Sequence, residues 1–361
     1  MADVTDPPTS PGGLGTGDIA TVVDGEASKG TVERNSLESG RIFRGLTIHS
    51  LLGRGAMGDV FLASHPILKT PLVVKVFAPL DGDIFREAHL AARVRSPHIV
   101  GVVDAGVEDD RPFVVQHYVD GIDFAELSRR LKQQERRLPA SVLAHYLMQL
   151  ARGTHEVHQA GVVHRDIKPK NLFLNGEGEA QCGDFGIAYD PIESRRDRVA
   201  GTPPFVAPEI WHGEAPTPQS DIYALGATAH FLATGEQAFG GSTPSIVHGH
   251  LHREYESPEA ENPREAYLFT LVSRMLSKQA GERPANMEVL ARELEPIANL
   301  GGHWEMIAPD RAMIGSVEVR LCVGELERFG ADALVSSSRP ALGMRDGVAK
   351  ALREIGGEAL A

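Results

Sequence analysis

The chain sorts its periodicities by position. Short strand-like runs crowd into residues 46–119: LTIHSLLGRG, DVFLASH, PLVVKVF, HIVGVVDAGV and PFVVQHYV, punctuated by Gly and Pro as in antiparallel hairpins. One stretch of helical spacing, DIFREAHLAARV, sits among them, with Ile84, Phe85, Leu90 and Val94 as its apolar contacts. From about residue 122 the pattern turns helical. LPASVLAHYLMQLARGTHEVHQAG is a long amphipathic segment ending in glycine, followed by SDIYALGATAHFLATG, REAYLFTLVSRMLS and ANMEVLARELEPI. Strands first and helices afterwards predict an α+β fold of two lobes, a small antiparallel β lobe with one helix and a larger helical lobe.

The flanks differ from this body. Residues 1–44 are rich in Gly, Thr, Ser, Asp and Pro and predict a flexible tail that buries too little apolar surface to offset its ordering entropy. Residues 298–313 read as a linker. Beyond them SVEVRLCV and DALVSS are strand-like and GVAKALREIGG is a short helix, giving a partial α/β segment over 314–361.

Bulk properties exclude several classes. The 361 residues suggest two or three domains, and the net charge of -13 disfavours a nucleic-acid protein, whose affinity rests on cations that neutralise phosphates. Two distant cysteines, Cys182 and Cys322, rule out a disulfide framework and fit a reducing cytoplasm. No apolar run reaches the roughly 18 residues of a membrane helix. The start, MADVTDPPTS, lacks the basic and apolar regions of a signal peptide.

The chemistry gathers in a few stretches. GRGAMGDV places Gly53, Gly55 and Gly58 in a G-x-G-x-x-G-x-V pattern between two strands, where backbone amides can cradle an anion, although a plain glycine hairpin reads the same way. A dinucleotide fingerprint needs a helix after the glycines, and here a strand follows. Lys75 interrupts the apolar strand PLVVKVF. It either faces water at an edge or holds phosphate oxygens with Glu87, on the next helix, orienting it. GVVHRDIKPKNLFL packs an acid, two lysines, an arginine and an amide between apolar residues. That is either a charged hairpin or a loop holding a hydroxyl against a phosphate.

Taken in order, the glycine pattern, Lys75, Glu87, HRDIKPKN, DFG at 184–186 and APE at 207–209 resemble the protein-kinase signature set. The resemblance covers about residues 45–297, with the small lobe at 45–119 and the large lobe at 120–297, and is nearest to bacterial serine/threonine kinases of eukaryotic type. It implies transfer of the γ-phosphate of ATP to serine or threonine hydroxyls of protein substrates, with autophosphorylation. It also implies that Asp166 accepts or orients the hydroxyl proton and Lys168 contacts the moving phosphoryl group. Asn171 and Asp184 would hold Mg2+, with Mn2+ as the other ion of that chemistry. Besides the glycines and Lys75, the nucleotide contacts implied are Val60, Val73, His117, Val119, Asp123 and Phe173, with Asp123 at the ribose. Gln116 and His117 depart from the usual hinge residues, and Val73 stands where the family commonly has alanine.

The same resemblance pairs Glu209 with Arg283, sets Asp221 to hold the catalytic loop backbone, and makes Ser194 or Thr202 a site of autophosphorylation near Arg165. The rival class is a nucleotide-binding pseudokinase or signalling scaffold, against which stand all six of Lys75, Glu87, Asp166, Lys168, Asn171 and Asp184.

Three features lie outside this set. His248, His250 and His252 in HGHLHRE alternate; a metal site wants a helical i, i+4 pair, so a solvated loop is the expectation. The basic run RRLKQQERR at 129–137 reads as a solvated helix face or as a docking surface for an acidic partner. Residues 314–361 resemble the start of a macrodomain, which implies ADP-ribose binding. Asp332 then matches the adenine-contacting acid and Gly347-Val348 the helix start, while Ser336 and Arg339 replace the family's asparagines. An ADP-ribose sensor coupled to a kinase is therefore a third functional reading.

Overall fold

Alternation in the first strands decides which side chains face the cleft. In this computed structural model, residues 37–54, 58–77, 90, 92–184 and 203–298 are described, together with the backbone of three strands between 304 and 320. The first sheet contains β1 (Ile42–Phe43), β2 (Leu46–Arg54), β3 (Gly58–Ser64), β4 (Pro71–Phe77), β5 (Val102–Glu108) and β6 (Arg111–His117) in the order β1-β2-β3-β4-β6-β5. Every pairing is antiparallel. Along β3 and β4 alternate residues are buried, among them Phe61, Ala63, Leu72, Val74 and Val76. The opposite face therefore carries Val60, Leu62, Val73 and Lys75, with Val60 opposite Lys75 and Leu62 opposite Val73.

The second block is mostly helical. α1 (Phe124–Gln133) is capped by Asp123, whose Oδ1 accepts the Glu126 N–H at 2.7 Å. α2 (Ala140–Gln159) buries Leu143, Leu147 and Leu150 at helical spacing. A small sheet of β7 (Gly121–Asp123), β8 (Leu172–Asn175) and β9 (Ala180–Cys182) lies beside it. After α3 (Pro208–His212) comes α4 (Pro218–Thr234), which buries nearly every residue from Ser220 to Ala233; a helix apolar on all sides belongs at the centre of a core. α5 (Thr243–His252), α6 (Pro263–Met275) and α7 (Met287–Ala298) follow, with α7 packed along α2. Among the described residues, no helix is long and apolar enough to cross a membrane.

Four expectations change. The three histidines of HGHLHRE lie not in a loop but on the C-terminal half of α5, whose buried face carries Ile246, Gly249 and His250. A Cβ at Gly249 would lie 2.6 Å from that of Phe239, so the helix needs glycine there to approach. The basic run is helical only as far as Gln133. β1 falls inside the stretch expected to be a tail. Two strands, β10 (Trp304–Ala308) and β11 (Arg311–Ile314), occupy the expected linker and pair antiparallel with β12 (Val317–Arg320). The helix expected around Glu87 and everything after residue 320 lie outside the described residues.

Candidate active site

The loop between α2 and β8 is held from beneath by one buried carboxylate. Asp221, on the first turn of α4, accepts the His164 N–H on Oδ2 at 2.8 Å and the Arg165 N–H on Oδ1 at 2.9 Å. His158 Nε2, at the end of α2, lies 2.8 Å from the same Oδ2. These bonds hold Arg165 at φ 70°, a left-handed conformation that costs a side-chain-bearing residue roughly 1–2 kcal/mol. The role expected of Asp221 is thus observed.

His164 joins this loop to the strand that ends at Asp184. Its Nδ1 accepts the Asp166 N–H at 3.3 Å, so Nε2 carries the proton and donates to the Gly183 carbonyl at 3.0 Å. Burial pushes the His164 pKa below its ordinary value, against the pull of Asp221 and Asp166, which keeps this neutral tautomer. Sequence reasoning missed His164; a polar residue in the apolar run VVH was the signal that would have found it. It also missed Gly183, where a Cβ would stand 2.9 Å from Phe173 Cε2 and 3.0 Å from Val100 Cγ2.

Asp166 is the focus. Its Oδ2 accepts from Asn171 Nδ2 and from Lys168 Nζ, each at 2.8 Å. Asn171 Nδ2 also donates to the Asp166 carbonyl at 2.8 Å, and the Asn171 carbonyl accepts the Gly183 N–H at 2.9 Å. The Asn171 amide nitrogen is thereby engaged, which leaves its side-chain oxygen as an acceptor. With the Asp184 carboxylate one step beyond Gly183, that oxygen would supply hard donors of the kind that Mg2+ or Mn2+ takes when phosphate and water complete the shell.

Lys75 reaches the same place from β4. Its Nζ donates to Asp184 Oδ1 as an ion pair across the cleft. Burial pushes the Lys75 ammonium from 10.5 down to about 7; Asp166 pulls it back and Lys168 adds to the fall. Its partner among the described residues is Asp184, while Glu87, the partner expected, lies outside them, as do Gly55, Ser194, Thr202, Asp332, Ser336, Arg339, Gly347 and Val348.

The residues expected to contact nucleotide are placed as follows. Val60 and Val73 share a face with Lys75, and Gln116, opposite Val73, is buried. His117 donates its N–H to the Gly101 carbonyl at 3.1 Å and Tyr118 to Pro71 at 3.4 Å, so Val119 is the hinge amide with no partner among the described residues. Phe173 sits opposite Asp123 in the β7–β8 pair. One oxygen of Asp123 is already used to cap α1. Gly58 is required by packing, because a Cβ there would meet the Val76 carbonyl oxygen at 2.2 Å.

The large lobe is braced as expected. Arg283 donates to both Glu209 oxygens at 2.7 and 2.9 Å, and Ser220 Oγ donates to Glu209 at 2.9 Å. Burial pushes the Glu209 pKa up, but Arg283 outweighs it and the carboxyl stays below its usual range.

Comparison with known proteins matches this arrangement. A family model described as protein kinase domain matches residues 46–294. The chain is 32% identical over 263 residues to the serine/threonine-protein kinase PknK of Mycobacterium tuberculosis, covering 70% of this chain but 23% of that relative. It is 32% identical over 277 residues to the serine/threonine-protein kinase PkaB of Streptomyces coelicolor, covering 71% of this chain and 64% of PkaB. The crystal structure of the Mycobacterium tuberculosis PknI kinase domain superposes with a TM-score of 0.57 at 29% identity, over 73% of this chain and 100% of that domain. The kinase motifs stand in order, Asp166, Lys168, Asn171 and Asp184 converge on one cleft, and the match spans both lobes: the chain belongs to the protein kinase domain family.

Proposed function

We propose that this chain transfers the γ-phosphate of ATP to serine or threonine hydroxyls of proteins, with magnesium as the cation. The observation that carries the proposal is the Asp166 carboxylate, held on one oxygen by Lys168 and Asn171 at 2.8 Å each. A carboxylate fixed in this way can orient a hydroxyl and take its proton, and Lys168 stands ready for charge on the moving phosphoryl group. Phosphoryl transfer asks for positioning and charge stabilisation, and these residues supply both from a loop locked to α4. A cation bound by Asn171 and Asp184 would neutralise phosphate charge. A lysine two residues after the acid is the serine/threonine pattern, which the names of the relatives share.

The test is transfer from labelled ATP with magnesium to a generic basic protein, comparing wild type with Asp166→Asn. Transfer falls about 10²–10⁴-fold in the variant while nucleotide binding persists. Wild-type protein that binds ATP and transfers nothing would sink the proposal in favour of a nucleotide-binding scaffold.

A further inference from the structure

His248 and His252 lie four residues apart on α5, one turn from each other on its exposed face. Their ring centres are 5.0 Å apart, with planes inclined by 59°. With about 2.1 Å from metal to imidazole nitrogen and about 1.2 Å from nitrogen to ring centre, two imidazoles on one tetrahedral ion stand roughly 5–5.5 Å apart. The observed spacing lies at the lower end of that range, so an ion could be shared with little movement of either ring. We propose that His248 and His252 form a binding site for a divalent transition-metal ion of the zinc class, separate from the nucleotide cleft.

The third histidine of the run does not take part. His250 is fully buried, its Nδ1 2.8 Å from the Tyr223 hydroxyl, and burial pushes its pKa down to about 4. Helical geometry divides the alternating trio into one interior residue and one exposed pair. Neutral imidazole suits zinc, nickel and copper, whereas the oxygen donors of Asn171 and Asp184 suit magnesium, so the two sites select different ions. Among the described residues no group of three or more His, Cys, Asp or Glu side chains is placed to share an ion, so this site has two protein ligands and water completes it. The exposed segment that follows carries Glu254, Glu256, Glu259 and Glu261, which offset the nearer positive charge of Arg253.

Such an ion would clamp the last turn of α5. That helix packs against the short turn Pro203–Phe205, which leads into α3. The clamp therefore sits on the element that packs against Pro203–Phe205.

The experiment is titration of untagged protein with ZnCl2 against a chromophoric chelator, for wild type, His248→Ala and His252→Ala, with thermal midpoints recorded with and without zinc. Wild type binds one equivalent with an affinity that falls at least about tenfold in either variant, because losing one of two ligands removes the chelate. Zinc raises the midpoint of wild type and not of the variants, while all three match without zinc, since both side chains are exposed. Equal binding by all three proteins, or no binding by wild type at 100-fold zinc excess, would overturn the proposal.

Discussion

Arg283 reaches back 74 residues to grip both oxygens of Glu209 while its guanidinium lies 4.9 Å from the Tyr223 ring centre. It also donates to the carbonyls of Gln219 and Ser277, so its donors are nearly all used inside the protein. This one side chain ties α3, the start of α4 and the turn before α7 into a unit. Its side chain has no solvent exposure, so the energy of the pair depends on both members being present.

Removing one partner alone should therefore cost most. Arg283→Met leaves the half-buried Glu209 carboxylate beside Ser220 with no cation, and about 3 kcal/mol of stability should be lost in urea unfolding. Glu209→Gln with Arg283→Met should recover part of that loss. A single variant as stable as wild type would show that the brace carries no stability.

The pairing was legible because APE and GERP resemble the family's motifs and stand in the family's order. Strands β2, β3 and β4 were legible too, since alternating burial leaves a period-2 trace that Gly and Pro delimit. Helix α5 was not. Its buried face includes a glycine and a histidine, so hydropathy shows no apolar stripe, and only the packing of Gly249 on Phe239 explains the helix. The capping by Asp123 was hidden for another reason: a carboxylate before a helix and a carboxylate at a ribose look alike in sequence. Strands β10 and β11 lay in a stretch too short and mixed to show alternation.

With Lys75 at the phosphates, as proposed, nucleotide binding would be a proton-linked event. The folded pKa of Lys75, about 7, lies below the ordinary 10.5, so near pH 8 the free protein holds it mostly neutral. A polyphosphate beside it favours the ammonium, so binding takes up a proton and affinity falls as pH rises above about 7. Calorimetric titration at pH 8 in two buffers of different ionisation enthalpy should show heats that differ by the proton taken up. Lys75→Met should abolish the difference. Without nucleotide the sign reverses: the unfolded chain binds more protons between pH 7 and 10.5, so this residue makes stability rise across that window.

Asp221 touches no reacting atom in the proposed chemistry; it positions the loop that does. Asp221→Asn keeps its size but supplies one acceptor oxygen where three donors now converge, from His158, His164 and Arg165. Phosphate transfer should slow at least about tenfold, with the KM for ATP little changed, because a small displacement of Asp166 costs orientation. Hydrogen exchange should show faster amides at His164 and Arg165 alone. A rise in KM with kcat intact would place Asp221 in nucleotide binding instead.

The glycines of GRGAMGDV should separate by function. A Cβ at Gly58 would stand 2.2 Å from the Val76 carbonyl oxygen, a collision with the backbone of the neighbouring strand that no rotamer relieves. Gly58→Ala should therefore destabilise the protein by about 1–3 kcal/mol, a fall of several degrees in Tm. A Cβ at Gly53 meets nothing within 4 Å among the described residues, so Gly53→Ala should leave Tm within about a degree of wild type. If the glycine turn cradles the phosphates as proposed, whatever Gly53→Ala costs should then appear in the KM for ATP. If Gly53→Ala changes neither Tm nor KM, the turn is only a hairpin and the phosphates are held elsewhere in the cleft.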